Sequence, residues 1–185
     1  MSPLEFAILA LTFVISLSIV WNSLRVGITP VPSSKKARQT ILQAAEAAAA
    51  EGAILELGCG WGHLALLLAQ KYPHRQVIGY EVSLFPWLFS LLLKRLRRAD
   101  NLLLLKRNFL GSELPPAALA ICYLHPGGMT KLAKKLREER PQIDMLISNT
   151  FALPDREPLQ IYRLKDIYKS PIYVYRLTEE SDVKK

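Results

Sequence analysis

The sequence predicts an α/β fold, a doubly wound and largely parallel sheet, with an apolar helix ahead of it. Three observations carry this. The apolar run Ala53-Ile54-Leu55 leads into Glu56-Leu57-Gly58-Cys59-Gly60-Trp61-Gly62 and then into His63 to Gln70. That order reads as a buried strand, a glycine-rich turn and a helix. A second run, Gln76-Val77-Ile78-Gly79-Tyr80, ends in an acid, Glu81. Beyond it, helix-like and strand-like stretches alternate as far as a closing pair of tyrosine-rich strands.

The chain has 185 residues, which suits one compact domain and an appendage. Half of it is hydrophobic, and part of that excess lies at the N-terminus. A net charge of +8 fits nucleic acid, an anionic membrane surface or plain solubility. Cys59 and Cys122 fall at the ends of expected core strands. Their spacing suggests neither a metal site nor a redox pair, and two unpaired thiols fit a reducing compartment.

Taken in order, Leu4 to Trp21 is apolar apart from Glu5, Thr12, Ser16 and Ser18. At roughly 18 residues it is near the minimum for a transmembrane helix. A cleaved signal peptide is disfavoured, because no Lys or Arg precedes the run and no small-residue cleavage site follows it. Arg25, Lys35, Lys36 and Arg38 come after it, so the positive-inside rule puts the C-terminal domain on the cytoplasmic side of a single-pass membrane protein. Residues 1–30 are thus read as anchor and linker, 31–178 as the domain and 179–185 as a charged tail. Ser33 or Ser34 caps a helix from about Lys35 to Ala50, with Ile41, Leu42, Ala45 and Ala49 as its inner stripe.

Leu84 to Arg98 is a helix with apolar residues on nearly every face of its first turns and Lys94, Arg95, Arg97 and Arg98 at its end. One sheet face would not bury all of that surface, which suggests a bilayer or a second copy as a further neighbour. Asn101 to Lys106, Ala118 to Leu124 and Ile143 to Ser148 read as strands three to five. Lys131 to Arg140 reads as a helix with Leu132 and Leu136 inward and its Lys and Arg outward. Gln160 to Leu164 and Ile172 to Leu177 are the closing strands.

The glycine pattern is not the full dinucleotide fingerprint, whose third glycine comes three residues after the second. An acid at its head and another about twenty residues on, Glu56 and Glu81, resemble instead the S-adenosylmethionine (SAM) site of the Rossmann-like class I methyltransferases. A closer likeness rests on Val31-Pro32-Ser33-Ser34, Gly79-Tyr80-Glu81, Pro86-Trp87-Leu88, Tyr123-Leu124-x-Pro126 and Asn149-Thr150-Phe151-Ala152-Leu153-Pro154. Together they resemble the membrane-anchored protein-lysine methyltransferases whose mitochondrial members modify ATP synthase subunit c and the adenine nucleotide translocator. The sequence departs from that pattern at Trp61 and Asn108, where acids are common.

The resemblance implies SAM as cofactor. Glu56, Gly58, Cys59 and Gly60 would hold its methionine part and sugar, Glu81 the ribose hydroxyls, and Val82, Asn108 and Phe109 the adenine. Tyr123 and Pro126, at the end of the fourth strand, would admit the acceptor as the catalytic pair. It also implies the bilayer and a membrane-protein substrate as partners, with no metal. Tyr123-Leu124-His125-Pro126 is not the Asn/Asp-Pro-Pro-Tyr loop of nucleobase methylation, so no nucleic acid is expected. The histidines His63, His74 and His125 read as incidental, and only His125, beside Pro126, has any case for lining the site. A lipid or small-molecule acceptor and a non-catalytic SAM-binding protein are the alternatives.

Overall fold

The computed structural model describes residues 2–10, 12–13, 34–47, 51–164 and 166–178. One sheet contains β1 (Ile54–Leu57), β2 (Val77–Tyr80), β3 (Leu102–Leu105), β4 (Ala117–Cys122), β5 (Ile143–Asn149), β6 (Gln160–Arg163) and β7 (Pro171–Arg176). Its order is β3-β2-β1-β4-β5-β7-β6. The first five strands are parallel, and β7 runs antiparallel to both β5 and β6. The chain thus builds outward from β1 to β3, then crosses back over β1 to start β4. That reversal leaves a crevice beyond the C-terminal ends of β1 and β4, the usual ligand position in such sheets. Every residue of β1, β2 and β4 is buried, as expected of mainly apolar strands covered on both faces, and in β1 this includes the acid Glu56.

Helices α1 (Lys35–Ala47), α2 (His63–Lys71) and α3 (Leu84–Arg97) cover one face of this sheet, and α4 (Pro126–Glu139) covers the other. α1 opens on Ser34, whose Oγ accepts from the Ala37 N–H at 3.1 Å. It buries Ala37, Ile41, Ala44 and Ala45, with Leu42 partly buried beside them; Ala49 lies outside the described residues. Ile54, Leu68, Leu102, Leu119 and Ile147 fill the same core. The opposite core joins Leu57, Cys122, Met129, Leu132, Leu146 and Tyr175.

Two readings of the sequence are corrected here. α4 begins at Pro126, five residues before the expected Lys131. Gly127 and Gly128 hide its first turn, because glycine is a poor helix former. The start is set instead by a His125 cap, whose Nδ1 accepts from the Gly127 N–H at 3.0 Å, and by proline in the first turn. The second correction is Lys135, which points inward and is only 5% exposed.

At the N-terminus, residues 3–10 and 12–13 are helical. The Ser2 N–H donates to Glu5 Oε2 at 2.9 Å and the Glu5 N–H to Ser2 Oγ at 3.3 Å, a reciprocal cap that accounts for the acid ahead of the apolar run. Leu4, Phe6, Ile8, Leu9 and Phe13 are all more than half exposed. Among the described residues no helix is long and apolar enough to cross a membrane. The rest of the expected span to Trp21, the linker from Gly27 to Ser33 and the tail 179–185 lie outside the described residues.

Candidate active site

The glycine-rich loop folds around the end of β2. The Gly58 and Cys59 N–H groups both donate to the Tyr80 carbonyl, at 3.0 and 2.8 Å. The Gly62 N–H returns to the Cys59 carbonyl at 2.9 Å. Gly58 and Gly60 have φ of 88° and 53°, the left-handed region that glycine enters without a Cβ penalty. Gly62 was not singled out in the sequence, and its reason is steric. It has φ 76°, and a Cβ built on it would lie 2.5 Å from Ser90 Cβ. This third glycine lets α3 approach the start of α2, while Trp61 beside it packs edge-on against Phe89 of α3, with ring centroids 5.4 Å apart.

Glu56 and Glu81 flank this loop, both buried. Glu56 lies toward the N-terminus of α2, where the Ala65 N–H favours its charged form. Its Oε2 is buried with no partner. Burial pushes the Glu56 carboxyl well above the ordinary value, the Ala65 N–H pulls it down, and the charge of Glu81 adds to the rise. A buried carboxylate with one orphaned oxygen needs a cation, and the α-ammonium of SAM supplies one. Glu81 Oε2 accepts from the Gly60 N–H and Oε1 from the Ser83 N–H, each at 2.7 Å. Each oxygen keeps a second lone pair, so the ribose hydroxyls can still donate to it. The residues present therefore fit SAM.

Cys59 behaves differently from the expectation. Its side chain is buried in the core, and a Cβ on Gly79 would lie 3.0 Å from its Sγ. Burial, then the charges of Glu56 and Glu81, push its thiol well up. Its contribution to the site is thus the backbone bend, not the sulfur.

On the side expected for adenine, Val82 is half-buried and follows Glu81 directly. Asn108 is exposed, and its Oδ1 accepts from the Leu110 N–H at 3.0 Å, capping a 3₁₀ turn over Phe109–Gly111. The oxygen expected for adenine is thus already shared with the backbone, although Nδ2 and a second lone pair remain. The Phe109 ring is buried in the core that α4 covers. Sequence reasoning missed Lys135, which braces this loop from α4. Its Nζ donates to the Ser112 carbonyl at 2.7 Å and more weakly to that of Leu110 at 3.4 Å, and it pairs with Glu139. Lys134–Glu138 repeats the same spacing on the exposed side, so spacing alone does not mark the buried pair.

The side expected for the acceptor is built where β4 and β5 end. β4 stops at Cys122, so Tyr123 lies just past the strand and Pro126 already belongs to α4. This corrects the expectation that the pair closes the strand. Pro126 lacks an N–H, and its role is to start the helix. Tyr123 stacks on Phe151, with centroids 6.5 Å apart and rings inclined by 18°. Phe151 is held by its neighbours, since its carbonyl accepts from Ser148 Oγ at 2.6 Å, and the Leu153 N–H donates to the Tyr175 hydroxyl at 2.8 Å. Thr150, just before it, has φ 70°, a backbone state that a β-branched residue rarely adopts. His125 Nδ1 accepts from the Gly127 N–H, and its buried Nε2 has no hydrogen-bond partner.

Comparison with known proteins places this geometry. A family model described as the ANTKMT methyltransferase domain matches residues 56–160, from the loop acid to the first residue of β6 and over more than half of the chain. No curated protein matches the sequence at a significant level. Among solved structures, an RNA methyltransferase from Salinibacter ruber in complex with S-adenosyl-L-homocysteine superposes with TM-score 0.69 at 19% identity, covering 84% of this chain and 100% of that one. Precorrin-6y C5,15-methyltransferase from Geobacter metallireducens GS-15 gives TM-score 0.59 at 12% identity, over 77% of this chain and 87% of its own. Coclaurine N-methyltransferase bound to N-methylheliamine and SAH gives 0.51 at 21%, over 64% of this chain and only 37% of that larger protein. The shared feature is the sheet, and the acceptors named for these proteins have no common chemistry.

Proposed function

The chain belongs to the ANTKMT methyltransferase domain family and is a SAM-dependent enzyme, and from that premise we propose that its acceptor is a lysine side chain of a membrane protein. SAM brings a methyl group on a sulfonium centre that is already reactive, so the protein's task is alignment and exclusion of water. Glu56 would meet the ammonium, Glu81 the ribose hydroxyls, and Val82 with the Asn108–Phe109 turn would border the adenine. Tyr123 and Phe151 wall the approach to the crevice.

The observation that carries the lysine reading is this aromatic stack on the acceptor side. An aromatic face attracts an alkylammonium group. A partly desolvated channel then favours loss of its proton, which in water comes off only near a pKa of about 10.4. Bound SAM would supply its methyl group to the neutral nitrogen, with S-adenosylhomocysteine as the leaving group and a methylated ammonium as the product. The proton given up beforehand passes to solvent. The exposed apolar N-terminal segment supports a membrane location for enzyme and substrate alike.

The test incubates the full chain with methyl-labelled SAM and native membranes, separates protein from lipid and maps the modified residue by mass spectrometry. Label on a lysine of a membrane protein is the expected result. Label confined to lipid would replace this reading with a lipophilic acceptor, which the same N-terminal segment also suits. SAM binding without transfer to either fraction would leave a non-catalytic protein.

A further inference from the structure

α3 carries more apolar surface than the sheet accepts. Pro86 and Ser90 are buried, and Trp87, Leu91 and Leu93 pack on the core. Trp87 Nε1–H donates to the Leu104 carbonyl at 3.2 Å, tying the helix to the edge strand β3. The outward side holds Leu84, Leu88, Leu92 and Leu96, exposed by 39, 46, 53 and 69%, with Phe89 beside them at 38%. A spacing of four residues sets these leucines in one band along the helix, about 18 Å long at 1.5 Å per residue. A helix facing water would place polar groups there. From Leu84 to Ala99 the sequence has no acid, and Lys94, Arg95, Arg97 and Arg98 close the helix.

We propose that this band rests on an anionic bilayer surface, as a membrane contact separate from the N-terminal segment. Charge selects lipid as the occupant. A second copy docked band to band would offer these four cations no carboxylate from that band, whereas acidic head groups neutralise them while the leucines enter the acyl boundary. The exposed Leu4, Phe6, Ile8, Leu9 and Phe13 call for the same medium. The contact adjoins the active site. Glu81 and Ser83 lead directly into α3, and Phe89 of the band holds Trp61 of the glycine-rich loop. A bilayer against α3 would therefore set the cofactor loop at the membrane surface, whatever the acceptor is.

The test labels the full chain with an environment-sensitive fluorophore at Leu92→Cys, or at Leu96→Cys should the first variant melt early. Cys59 and Cys122 are buried and will not compete for the label. Lys134→Cys, exposed on α4 across the sheet, is the reference site. Vesicles of phosphatidylcholine, with or without phosphatidylserine, carry a doxyl-lipid quencher. The dye at 92 should shift to the blue and lose intensity on phosphatidylserine vesicles, and the dye at 134 should not. Arg95→Glu with Arg97→Glu should abolish the quenching at 92 although the protein still floats with the vesicles. A floating wild-type chain whose dye at 92 stays unquenched would overturn the proposal, as would a dye shielded without lipid in a particle of doubled mass. None of these readouts requires methyl transfer, so they stand or fall apart from the acceptor.

Discussion

Glu56 is a buried acid whose charge the protein resists until a cation arrives. Its raised folded pKa fixes the sign of the pH dependence. The stability this gives to the ligand-free protein is fully present below the unfolded carboxyl value, near 4.5, and is lost as pH rises toward the folded value. The SAM ammonium favours the charged form, so SAM affinity should rise with pH above that unfolded value, and binding should release protons. Calorimetry from about pH 5 to pH 8, in buffers of different ionisation heat, measures both. Glu56→Gln should flatten the pH profile and remove the proton release. Glu81→Ala should weaken SAM binding by about 1.5–3 kcal/mol, on the order of ten- to a hundredfold. It should also lower the melting temperature, because the Gly60 and Ser83 N–H groups lose their acceptor. That Glu56, Gly58, Gly60 and Glu81 lie together was legible in the sequence, because the loop follows one predicted strand directly and Glu81 ends the strand that pairs beside it. The direction of Cys59 was not, since it depends on the room that Gly79 leaves on a neighbouring strand. Lys135 was hidden for a similar reason. A lysine on a charged helix reads as solvated until a loop from β3 is known to pass beneath it.

Among the elements, β1, β2 and β4 were legible as buried, mainly apolar runs and the closing pair by its tyrosines, and the observed strand ends differ from the expected ones by at most two residues. α4 was legible only from its second turn, because its start depends on a side-chain cap and two glycines. α3 was legible as a helix of surplus hydrophobicity, but which residues face outward depends on its docking against β3. The α2–α3 contact can be tested directly. Gly62→Ala should destabilise the protein by roughly 1–3 kcal/mol through the clash with Ser90, with a further 1–2 kcal/mol from the left-handed backbone. Ser90→Gly removes the clashing atom but costs about 1 kcal/mol as a glycine inside a helix. The double variant should therefore be more stable than the sum of the two losses implies, without regaining the wild-type melting temperature. Chemical denaturation of the four proteins closes that cycle.

For the molecule as a whole, the fold class was legible in the alternation of elements, while strand order and the position of the crevice required the assembled sheet. Removing residues up to Gly27 should leave SAM affinity unchanged, since the described N-terminal residues are all exposed and the site is built from Glu56 onward. Methylation of a membrane-borne acceptor should nevertheless fall by on the order of a hundredfold, because confinement to one surface is lost. Parallel assays of both chains on the same membranes measure this. The insertion of β7 between β5 and β6 has a consequence for biosynthesis. Chains leave the ribosome N-terminus first, so β5 emerges well before the strand that covers its second edge. During that delay Met145–Asn149 offers an unpaired ladder to any other nascent chain. Chains stalled before Gln160 should be captured by holdase chaperones far more than chains stalled beyond Arg176, as a pull-down from a translation extract would measure.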